Sequence, residues 1–320
     1  MPRVASILVV AALACGASAF AADPEPFELR DGDRVVFLGN ALIEREQKYG
    51  FWEAMLMLTW PERTFTFRNL GWSGDTVWGE SRAGFGTAAD GFKALTSQVN
   101  EAKPTVIFVG YGNVEAFAGK AGLPKFVEGF NQLLDVLEAT KARLVVLGPT
   151  LQNGAVTTNP NWKAYNQQVV EYSNAMRGVA EKRKHRFVDL SQATGEDFFQ
   201  SDGLLGSTDD GVTFIEFGYL GLFEVIAEQL AFPVNDLLEK DVGEDDPLMD
   251  LIDLIVKKNE LFFHRWRPQN ETYLFGFRKH EQGNNAEEVF QFDPLVVAEE
   301  KKIEQAKQTV IAATKKAGVK

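Results

Sequence analysis

Five short apolar runs alternate along the chain with longer segments of helical period, and this alternation restricts the fold more than any other feature. The runs are Val35–Leu38, Thr64–Leu70, Thr105–Gly110, Leu144–Leu147 and Arg186–Leu190. Helical patterns lie between and after them, at Ile43–Thr59, Gly91–Glu101, Leu123–Thr140, Trp162–Lys182 and Ile215–Leu230. Strands joined by helices pair in parallel, and a parallel sheet must have both faces covered. Val106–Val109 and Leu144–Leu147 are wholly apolar, as central strands of such a sheet should be. The expected architecture is α/β: a three-layer, flavodoxin-like fold on five parallel strands. Its ligands would sit at the carboxyl ends of those strands.

The two ends of the chain read differently from the middle. Met1-Pro2-Arg3 is followed by an apolar run to Ala14 and by small residues ending in Ala19-Phe20-Ala21, the layout of a secretory leader over 1–21. That run is too short to span a bilayer, and no second run is long enough, so no transmembrane segment is expected. The chain is therefore expected to be secreted or periplasmic. The only cysteine, Cys15, lies inside the leader; Ala12–Gly16 loosely resembles a lipid-attachment site with its leucine displaced by one position. Residues 22–240 are expected to form the α/β domain. The acidic Asp241-Val-Gly-Glu-Asp-Asp-Pro247 marks a boundary, and 241–320 should form a helical and aromatic extension. Helices are expected at Leu248–Phe262 and Pro294–Lys316. This extension is too polar to make a core alone, so it should pack back onto the α/β domain or, through 244–320, meet a protein partner. With a formal charge of −12, nucleic acid and anionic membrane are disfavoured as partners.

The loop after the first run carries the functional question. Arg34-Val-Val-Phe-Leu-Gly-Asn-Ala-Leu-Ile-Glu44 is a strand, a glycine and a helix start. A reactive group belongs there, but position 41 is alanine, which cannot be a nucleophile. Three further loops complete a pattern: Asn69-Leu-Gly-Trp-Ser-Gly-Asp-Thr76, Tyr111-Gly-Asn-Val-Glu115 and Asp210-Gly-Val-Thr-Phe-Ile-Glu-Phe-Gly-Tyr219. In order and spacing these four segments resemble the conserved blocks of the SGNH (GDSL) hydrolase family, over roughly Asp33 to Leu230. The run His264–Tyr273 also resembles a tail found on SGNH-like secreted proteins of planctomycete-type bacteria.

That resemblance implies a serine nucleophile, a histidine base held by an aspartate three residues earlier, and an oxyanion hole of two N–H groups and an asparagine. Carried onto this chain, the serine position is Ala41, the asparagine position Val114 and the histidine position Thr213. The oxyanion glycine, Gly74, and the orienting aspartate, Asp210, are present. Nucleophile, base and one oxyanion donor are thus missing together, and the family mechanism does not survive such losses. Asn113 could turn inward in place of Val114. Nothing replaces Ala41, whose neighbours are Asn40 and Leu42.

Other groups near these loops have two readings each. Ser73 and Asp75 either line the pocket or bond the loop backbone. Glu44 and Glu115 either form a carboxylate pair or sit as exposed charges at helix starts. Trp72, Trp78 and Tyr111 either stack on sugar rings or close the core. Of the three histidines, His185 should lie at the opposite edge of the sheet, whereas His264 or His280 could reach the site if the tail folds over it. No zinc-ligand spacing and no phosphate loop is found, so neither metal nor cofactor is expected. The leading expectation is a degenerate family member that binds a small molecule or carbohydrate. The alternatives are an esterase with a non-standard constellation, and an assembly protein working through its tail.

Overall fold

A computed structural model of the chain describes residues 25–195, 207–233 and 246–316. The expected leader with Cys15 and the expected boundary residues Asp241–Asp245 lie outside these. Five strands form one parallel sheet: β1 Arg34–Gly39, β2 Thr66–Gly71, β3 Val106–Gly110, β4 Arg143–Leu147 and β5 Arg186–Val188. Their spatial order is β2-β1-β3-β4-β5, the flavodoxin-like order, with helices on both faces.

The two-residue period of the strands divides the core. Val35, Phe37, Val106, Phe108, Val145 and Leu147 face one layer, while Val36, Leu38, Ile107, Val109, Leu144 and Val146 face the other. The second layer is closed by α3 Ala88–Ala102, α4 Gly119–Ala139 and α5 Trp162–Lys182. Each of these three helices is followed by a lysine in the left-handed conformation, Lys103, Lys141 or Lys184, just before the next strand begins. A basic residue there suits the negative end of the helix dipole.

The first layer departs from the expected single helix over Ile43–Thr59. Two helices stand there, α1 Ala41–Glu46 and α2 Phe51–Thr59, separated at Gly50, whose φ is 68°. A side chain at that position would be strained, and its Cβ would lie 2.8 Å from Ile255 Cγ2. The fifth run also stops early. Asp189 caps a short helix at Leu190–Ala193 by accepting the Gln192 N–H, so β5 ends at Val188.

The same layer contains α6 Glu216–Gln229 and two helices of the extension, α7 Pro247–Trp266 and α8 Phe292–Lys316. Leu251, Ile255, Ile303 and Val310 from the extension join Phe51–Leu58 in one continuous core. The extension is held by charge as well. Lys258 is buried and donates to both carboxylate oxygens of Glu53, at 2.7 and 2.9 Å, and to Asn259 Oδ1 at 2.7 Å. Buried Glu46 accepts the Trp52 N–H at 2.9 Å through one oxygen while the other has no partner. Burial, with Glu53 nearby, pushes its carboxyl up to about 8. Among the described residues no helix is long and apolar enough to cross a membrane.

Candidate functional site

Strand register sets three of the four loops side by side. Gly39 pairs with Gly71 on one side and Gly110 on the other, so Asn40–Ala41, Trp72–Gly74 and Tyr111–Val114 leave the sheet at one level. The Trp72 N–H donates to the Gly39 carbonyl at 2.9 Å, and the Asn40 N–H to the Gly110 carbonyl at 3.3 Å. A Cβ at Gly39 would lie 2.2 Å from that Gly110 oxygen, so only glycine permits this approach. Asn40 caps α1 by accepting the Leu42 N–H at 3.3 Å, and its Nδ2 is buried without a partner. Ala41 is the first residue of α1 and half-buried. Its methyl group can neither attack nor transfer a proton.

Behind these loops stands a buried polar network. Asp75 Oδ2 accepts from Arg82 Nε at 2.7 Å and from the Tyr111 hydroxyl at 3.2 Å. Arg82 also donates to the Leu70 carbonyl and to Gln98. Glu115 accepts the Val77 N–H at 2.8 Å and the Gly112 N–H at 2.9 Å, fastening the second loop to the third. Burial pushes its carboxyl up to about 7 against the pull of those N–H donors. Burial likewise holds the Tyr111 hydroxyl protonated, well above the usual range. Asp75, Tyr111 and Glu115 therefore spend their polar atoms on the frame of the loops, and the exposed-charge reading of Glu115 is overturned. Asn113 turns away in the same manner: its Nδ2 donates to the Thr150 carbonyl, and its own carbonyl accepts the Tyr165 hydroxyl. Val114 is half-buried and offers no donor beyond its backbone.

The fourth loop reaches the same edge from the far side of the sheet. The Tyr219 hydroxyl donates to the Leu42 carbonyl at 2.8 Å, and Asn153 N–H to the Gly211 carbonyl at 2.7 Å, tying this loop to α1 and to the loop after β4. Asp210 is exposed and closes on its own loop. Oδ1 accepts the Val212 and Thr213 N–H groups at 2.9 and 2.7 Å, and Oδ2 accepts the Thr213 hydroxyl at 3.1 Å. Burial would raise its carboxyl, but these donors outweigh it and hold it below the usual range. Asp210 is thus bonded to the threonine of its own loop. None of the three histidines bonds to these loops among the described residues. His185 pairs with Glu138 at the amino edge of the sheet, His264 lies against Phe263 and Phe292, and His280 sits in an exposed turn.

The extension supplies residues that no local pattern announced. Glu44 Oε2 accepts the Ser73 N–H at 2.6 Å and Arg267 Nη1 at 2.7 Å. The Arg267 guanidinium lies 3.7 Å from the centre of the Trp72 ring, and Trp266 meets that ring edge-on at 5.8 Å. Glu44 is thus neither paired with Glu115 nor a free helix-start charge. Trp72 is wedged between the second loop and the end of α7, while Ser73 and Gly74 remain exposed beside it. Trp78 packs on Gly129, under Lys125. Arg82 and Arg267 escape a reading of spacing, because their acidic partners are named only by the folded chain. Among the described residues no group of three or more His, Cys, Asp or Glu could hold a metal.

A family model described as the GDSL-like lipase/acylhydrolase family matches residues 37–219. No curated protein matches the chain. Among solved structures, a gut microbial diltiazem-metabolizing enzyme is similar with a TM-score of 0.61 at 11% identity, over 89% of this chain and 97% of that one. A catalytic mutant of an acetylxylan esterase from Geobacillus stearothermophilus is similar with a TM-score of 0.51 at 14% identity, over 65% of this chain and 98% of that one. At such identities the likeness is one of fold.

Proposed function

We infer function from the family first: this chain belongs to the GDSL-like lipase/acylhydrolase family. Within that family it is a member that does not hydrolyse esters by the serine mechanism and acts instead by binding. One observation carries this reading. Ala41, Val114 and Thr213 stand at the reactive positions of loops whose frame is otherwise complete, and Asp210 has closed on Thr213. A nucleophile, its base and an oxyanion donor act as a unit, so no single neighbour restores the rate. The leader-like residues 1–21 favour action outside the cytoplasm.

The acetylxylan esterase among the fold neighbours makes acetylated xylo-oligosaccharides the first esters to assay, beside p-nitrophenyl acetate. The full chain is expected to leave both at the rate of buffer. A kcat/KM within the enzymatic range, about 10⁴ M⁻¹s⁻¹ or more, would sink the reading.

A further inference from the structure

We propose that the extension carries a binding site of its own, for a neutral sugar unit of an oligosaccharide. The site is a groove of about 510 Å³ at the junction of α7 and α8, open to solvent along one side. That volume suits a small ligand. The groove belongs wholly to residues 264–295 and shares no lining residue with the four loops. It therefore stands or falls separately from the reading of the catalytic positions.

Its lining decides the ligand class. Gln269, Asn270, Asn285 and Gln291 contribute four carboxamides, and His264 and Phe292 contribute two rings whose centres are 6.0 Å apart. A carboxamide is uncharged and both donates and accepts hydrogen bonds, as a sugar hydroxyl does. A ring face covers the apolar face of a pyranose, and Leu274 and Val289 give the groove an apolar floor. Within the groove Asn285 Nδ2 donates to the Glu288 carboxylate at 3.3 Å and Asn270 Nδ2 to Gln282 at 3.2 Å, so two of the four carboxamides are held in place by their neighbours. The carboxylate of Glu288 and the chain's charge of −12 disfavour acidic sugars.

Calorimetry on the full chain with xylopentaose, cellopentaose, mannopentaose and trigalacturonate tests this. At least one neutral oligosaccharide should bind saturably. Asn270→Ala combined with Gln291→Ala should weaken it about tenfold, the loss of one or two hydrogen bonds. Both positions are exposed, so the variant should keep the wild-type melting temperature. Binding should also persist in Thr213→Ala, whose side chain bonds only within the fourth loop. No binding of a neutral oligosaccharide at millimolar ligand, binding of trigalacturonate only, or binding unmoved by the double substitution but lost in Thr213→Ala would each overturn the assignment.

Discussion

The network behind the strand ends and the rim in front of them have fared differently in this chain. Asp75 and Arg82 are completely buried and bonded to each other, with Tyr111 completing the pair. Ala41, Val114 and Thr213 are half-buried, and Asp210 is exposed. Removing one partner from a buried ion pair strands the other charge at a large cost, whereas a change at a half-open rim position costs little. Folding itself therefore holds the frame of the loops in place. It makes no such demand on Ala41, Val114 and Thr213. Likeness in the frame reports the fold and leaves the chemistry undecided.

The sharpest way to break this contrast is Arg82→Ala. It leaves Asp75 charged and buried, and should cost about 3–5 kcal/mol in urea unfolding. A loss below about 1 kcal/mol would mean that the network is not what preserves the loops.

Glu46→Gln probes the other buried charge seam through pH. The carboxyl ionises near 4.5 in the unfolded chain and near 8 in the fold. The folded state binds the extra proton between those values, so wild-type stability should fall as pH rises from about 4.5 to 8 and level off above. Glu115, raised to about 7, adds a slope of the same sign that ends sooner. Glutamine at 46 cannot ionise, so the variant should be more stable than wild type at pH 9, by about 2–3 kcal/mol after local relaxation. The two should converge near pH 4. A variant with an unchanged slope would show that the carboxyl of Glu46 is not the group responsible.

Ala41→Ser should do least. A half-exposed first-turn serine should move stability within about 0.5 kcal/mol, and with no histidine at 213 it should leave ester hydrolysis at background. Adding Val114→Asn and Thr213→His should raise the rate above background at little further cost in stability. A large destabilisation by the triple substitution would show that the rim, too, is part of the frame.

Most of the fold was legible in sequence because parallel strands and their helices announce themselves by period. The five runs became the five strands within a few residues, and Trp162–Lys182 is the helix expected. The single helix expected over Ile43–Thr59 missed the break at Gly50, where glycine is required by a φ of 68° and by the approach of Ile255, some two hundred residues away. The loops themselves were legible because they follow strands in a fixed order, and the residue types at 41, 114 and 213, on which the proposed function rests, are read directly from the sequence. The partners of loop residues were not: Asp75 with Arg82, and Glu44 with Arg267, are joined only across the folded surface.

The sequence by itself thus determined the α/β layering, the four loops and the absence of a nucleophile at 41, since each is a matter of residue type along the chain. Tertiary structure alone decided that Tyr111 and Glu115 are frame, that Asp210 closes on Thr213, and that Arg267 stacks on Trp72. Burial and distance depend on what the rest of the chain brings alongside, and no local pattern encodes that.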